Sequence, residues 1–176
     1  AAFSGPDLRT ALTLLAQYGQ TRVEFFNTSV SEHPAGLKIH FSETFDLSDL
    51  RLFLTETVFS GLFSAIEFFV GADQFKGQVY FSYPQPSYWQ KYHNAFGDNI
   101  QFNHSVTEII ISSSLLSVLS PTADAELHKQ AVAICGQQLE EITADKAGGP
   151  SLSIEQRVST LLFENPGRIW TLSEVA

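Results

Sequence analysis

The five histidines, His33, His40, His93, His104 and His128, are the residues best suited to metal or proton chemistry. None stands four residues from another, and Cys135 is the single cysteine, so no familiar metal-ligand spacing occurs. Ser64, in Gly61-Leu62-Phe63-Ser64-Ala65, lies in mid-helix sequence without the tight strand-to-helix turn that a serine nucleophile requires. Gly71 to Gly77 places Asp73 where a phosphate would need amide donors, so the segment reads as a connecting loop. Glu56 and Glu67 share one apolar helical segment at a separation of roughly 16 Å, too wide for paired acid–base work on one bond. Each is either a contact for a polar ligand group or a solvated edge residue. The Phe excess has two readings as well: Phe25, Phe41, Phe53, Phe63, Phe69, Tyr80 and Phe81 pack a sheet against helices, or they wall an apolar cavity oriented by His40 or Tyr80. The candidate ligand-binding residues are therefore His40, Glu56, Phe63, Glu67 and Tyr80. No catalytic residue, metal or cofactor is expected, and the chain is not read as an enzyme.

The elements that must position these residues follow from periodicity. Pro6 and Asp7 open a helix with Leu8, Leu12 and Leu15 on one face, closed at Gly19. Thr21 to Phe26 and Leu37 to Phe41 alternate as half-buried strands and form a hairpin across Pro34 and Gly36. Ser48 is the N-cap candidate of a long helix to about Val70. Arg51, Glu56 and Glu67 make Leu50 to Val70 too polar for hydrocarbon, and it reads as a buried helix. Gln78 to Ser82 is a strand ended by Pro84 and Pro86; a helix from Ser87 to Phe96 follows, then short strands at Asn99 to Phe102 and Thr107 to Ile111. Ala123 to Ala144 is helical, with Leu127, Val132, Ile134, Leu139 and Ile142 as an apolar stripe and Glu140 and Glu141 beside it. This order implies an α+β domain: a mixed or mostly antiparallel sheet of about five strands with packed helices, followed by a C-terminal helical segment.

The domain plan is a first unit over 1–147, a Gly/Pro linker over 148–152, and the start of a second, truncated unit over 153–176. Ser153 with Gln156, and Thr171 with Glu174, are capping boxes that open helices in that second unit. With 10 Lys+Arg against 19 Asp+Glu in 176 residues, the formal charge is −9, which disfavours nucleic acid as a partner of these residues themselves. One cysteine and no secretory signal pattern point to a cytoplasmic setting. Residue 1 is Ala and no Met occurs, so the sequence is expected to be a trimmed piece of a longer chain.

Val79-Tyr80-Phe81-Ser82-Tyr83-Pro84-Gln85-Pro86, then Tyr92, Phe96, Ile100 and Phe102, then Leu115, Pro121 and Asp124, resemble the arabinose-binding-type regulatory domain of one branch of AraC-family transcription regulators. Tyr83 stands where that branch usually carries His. Thr171 to Ala176 is similar to the entry of the family's helix-turn-helix domain. The resemblance implies that Ala1 lies inside the regulatory domain. It also implies a small-molecule effector of unknown identity, a homodimer, and promoter DNA held by helices beyond Ala176, with no base-reading residue in this sequence and no membrane partner. The alternative is a dimerisation and interaction module without a ligand.

Overall fold

The computed structural model describes residues 1–19, 21 and 23–147. The expected linker and the helices opening at Ser153 and Leu172 lie outside the described residues. The chain divides into two compact units, Ala1–Leu139 and Glu140–Ala176.

Helix α1 (Leu8–Gly19) starts where Asp7 Oδ1 accepts the Thr10 N–H at 2.8 Å, as an opening Asp should. Strands β1 (Phe26–His33) and β2 (Gly36–Glu43) form an antiparallel hairpin over the loop Pro34-Ala35. The first strand therefore begins where sequence periodicity ends it. Asn27 to Ser31 reads as turn sequence, but β2 supplies its hydrogen-bonding partners and an edge strand tolerates polar side chains. Helix α2 (Arg51–Val70) follows a 3-10 turn at Ser48–Leu50. Ser48 is not its cap: Ser48 sits at φ 45°, and its own N–H is accepted by Asp46 Oδ1 at 2.9 Å. Arg51 then ties the start of α2 to Glu43 and Asp46.

Strand β3 (Gly77–Tyr80), helix α3 (Gln90–Phe96), strands β4 (Ile100–Gln101) and β5 (Thr107–Ser112), and helices α4 (Ser113–Leu116) and α5 (Ala125–Ala147) complete the order. The sheet runs β1-β2-β5-β3-β4, antiparallel except for the β3/β4 pair. This is the α+β architecture expected, with a mixed sheet of five strands. Strands β4 and β5 do not pair with each other, because β3 lies between them.

One sheet face is the core. Ile39, Val79, Ile109 and Ile111 on the strands, Leu12 of α1, and Phe59 and Ile66 of α2 are essentially inaccessible to water. By length and composition Ser48–Val70 would suffice to cross a membrane. Here Thr55, Phe59, Phe63, Ile66 and Phe69 enter the core, while Leu50, Phe53 and Phe68 remain exposed. The buried-helix reading holds for that inner face.

Strand β5 is central, and both its neighbours begin with glycine. A Cβ at Gly36, which has φ 149°, would stand 2.1 Å from the Ile111 carbonyl oxygen; one at Gly77 would stand 2.1 Å from that of Ile110. Neither close approach leaves room for a side chain. Gly36→Ala is expected to cost more than about 2 kcal/mol of unfolding free energy, read as a lower urea midpoint at unchanged slope.

Candidate ligand-binding site

Helical and strand periodicities bring four surfaces together at the β1–β2 end of the domain. Leu12, Leu15, Ala16 and Gly19 recur on one face of α1; Val58, Gly61 and Leu62 do so on α2. Alternation along the hairpin turns Phe26 and Thr28 of β1 and Ile39 and Phe41 of β2 to the same side. Cys135 and Gln138 of α5, with Tyr18, Thr21, Val23 and the Ala1–Phe3 segment, complete a cleft of about 440 Å³. The Ala1–Phe3 segment is fixed by its carbonyls: Phe3 O accepts from Ser120 Oγ and Thr122 Oγ1, and Ala1 O lies 3.0 Å from His128 Nδ1.

The space exists because small residues hold the larger walls apart. Ala16 and Gly19 on α1 and Gly61 on α2 face it, and a Cβ added at Gly61 would meet nothing within 4 Å. A glycine inside a twenty-residue helix costs roughly 0.5–1 kcal/mol relative to alanine. No neighbouring atom requires that glycine, and the open space beside it is the cleft.

None of the five ligand candidates read from the sequence lines this cleft. His40 and Tyr80 lie together on the opposite face of the sheet, each paired across from Glu108. His40 Nδ1 is 3.8 Å and Lys38 Nζ 3.9 Å from Glu108 Oε2. Tyr80 stacks near His104 at 4.5 Å between ring centroids and donates its hydroxyl to Gln78 Oε1 at 2.7 Å. Phe63 is buried in the core, 4.7 Å from the ring of Phe75 and 5.1 Å from that of Phe96. Glu67 is exposed on α2. Phe41, placed by composition among possible cavity walls, does line the cleft.

Glu56 is already engaged. It lies on the flank of α2 away from Val58, Gly61 and Leu62, where it accepts the hydroxyls of Tyr88, at 2.9 Å, and of Tyr92. The Tyr92 hydroxyl is also hydrogen-bonded to that of Tyr83 at 3.2 Å. Tyr83 occupies the position before Pro84 where the resembling sequences carry His, and here it closes a tyrosine–carboxylate chain joining β3's end, α3 and α2. Burial, foremost, raises the pKa of both Tyr83 and Tyr92; the bond to Glu56 raises that of Tyr92 further. Among the described residues, no three His, Cys, Asp or Glu side chains converge as a metal site would require.

The cleft has the volume and the mainly apolar lining with a few polar groups that small-molecule sites commonly have. The chain belongs to the family described as the arabinose-binding domain of AraC transcription regulator, N-term, whose model matches residues 1–118. Its fold is similar to that in the crystal structure of the transcriptional regulator CdpR from Pseudomonas aeruginosa, with a TM-score of 0.62 at 14% identity. That likeness covers 99% of this chain and 56% of the CdpR chain, so the sequence spans just over half the length of that structure. No curated protein matches it.

The tyrosine chain makes stability pH-dependent. Unfolded, Tyr83 and Tyr92 lose their protons near 10.0; folded, they keep them to higher pH. The folded state then binds more protons than the unfolded state above that value, so stability falls as pH rises through the folded pKa. Urea midpoints between pH 8 and 11 are expected to decline, and to decline less steeply in the Tyr83→Phe/Tyr92→Phe double variant.

Proposed function

We propose that the protein is the effector-sensing part of a bacterial, cytoplasmic AraC-type transcription regulator, with the cleft as its effector site. The observation that carries this reading is that α5 contributes Cys135 and Gln138 to the cleft wall and continues to Ala147, directly before the expected linker over 148–152. A ligand that binds more tightly to one placement of α5 would bias whatever follows that helix, which is what a switch requires. On this reading 153–176 begins the helix-turn-helix domain, and promoter DNA is held by helices beyond Ala176. The family assignment supports the regulatory role.

Homodimerisation is the second part of the reading. Leu127 and Ile134 lie seven residues apart on α5, 55% and 57% exposed, and this exposed apolar stripe favours a helix-to-helix interface. A ligand-free interaction module would rest on the same stripe alone.

Thermal shift with a metabolite panel separates the two. Stabilisation of several degrees by at least one compound, abolished by Leu62→Trp, is expected of a sensor; no response alongside a stable dimer is the signature of the interaction module. Ile134→Glu is expected to convert dimer to monomer in sedimentation equilibrium, and an unchanged mass would remove α5 as the interface. In a longer protein carrying the DNA-binding helices, replacing 148–152 by a rigid joint should uncouple transcription from the effector.

A further inference from the structure

We infer that the cleft selects an uncharged, largely hydrocarbon molecule carrying one or two hydroxyl or carbonyl groups, and that it discriminates against ionised acids and free sugars. The inference rests on the sensor reading and adds the chemical class of the ligand.

Three observations carry it. First, none of the described residues lining the cleft is Lys, Arg, His, Asp or Glu, so those side chains offer a desolvated carboxylate or ammonium no counter-charge. Second, the side chains of Tyr18, Thr28 and Gln138 reach the cleft and form no hydrogen bond with other described residues, leaving a phenol, an alcohol and an amide unspent. Those groups can serve a hydroxyl or carbonyl, and three such side chains among the described residues are few against the many hydroxyls of a sugar. Third, the remaining walls are carbon: Leu12, Leu15, Phe26, Phe41, Val58 and Leu62 form a continuous apolar lining. A Cβ placed at Gly136 would touch the Tyr18 hydroxyl at 4.0 Å, so that phenol sits beside α5. A ligand hydroxyl bonded to Tyr18 therefore lies against α5, on which Cys135 and Gln138 also reach the cleft.

The test compares 1-decanol, decanoate at pH 7.5 and L-arabinose by thermal shift and calorimetric titration on the protein and on Gly61→Leu. That substitution adds bulk where the Cβ meets open space and improves helix propensity, so the variant is expected to fold. The expected result is that decanol binds, decanoate binds at least about tenfold more weakly, arabinose gives no response, and Gly61→Leu abolishes the decanol signal. Decanoate or arabinose binding as tightly as decanol overturns the inference, as does silence from all three. If the preferred probe is charged or a sugar and Gly61→Leu still abolishes it, the sensor reading stands and only the ligand class falls. Decanol binding that survives Gly61→Leu places the ligand elsewhere and removes both.

Discussion

Phe59 of α2 is 1% exposed, and its ring centroid lies 5.0 Å from those of both Phe41 on β2 and Phe81 just beyond β3. Through these contacts one side chain joins the two halves of the sheet, and Phe96 of α3 closes on it at 6.2 Å. A helix whose apolar residues spread round most of its circumference cannot remain in water on its inner face, and the sheet supplies the surface that covers it. Removing such a ring typically costs about 3–5 kcal/mol, a large share of a domain's net stability. Strand β5 can occupy the centre of that sheet only because Gly36 and Gly77 allow the flanking backbones to come close.

The cleft follows from the same packing by subtraction. Towards α3, large rings fill the volume between helix and sheet: Phe63, Phe75, Phe81, Tyr92 and Phe96 contact one another. Towards α1 and the hairpin, the two helices present the small residues Ala16, Gly19 and Gly61 to the cleft. On the far flank of α2, Glu56 is held by Tyr88 and Tyr92, which anchors the helix to α3 on the side away from the cleft. Helix α2 is thus tied to α3 on one side and borders open space on the other.

Much of the fold was legible from periodicity. The alternation of Leu37-Lys38-Ile39-His40-Phe41 places His40 on the face opposite Ile39 and Phe41, where it is found, and the prolines after Ser82 mark the end of β3. The first strand was misplaced because Asn27 to Ser31 carries turn-type residues whose strand conformation is imposed by pairing with β2. The Ser48 cap failed for a related reason: Asp46 and Arg51 organise that turn through contacts no single-residue preference encodes. The site was less legible. Leu12, Leu15, Val58 and Leu62 are ordinary helix-face residues, and only Gly61, inside an otherwise apolar helix, carried a local signal that space was being kept.

The sequence by itself determined most of the element order, though not helix α4, together with the α+β class, the apolar helix that needs a cover, and the family to which the chain belongs. These are properties of local spacing and of motif order, which survive without knowledge of neighbours. Only the tertiary structure decided which apolar faces meet and which stay apart, and hence that the open space lies under the hairpin while His40, Glu56, Phe63, Glu67 and Tyr80 face elsewhere. A cavity is a relation among several surfaces distant in sequence, and the residue types that wall it are those that would also fill a core.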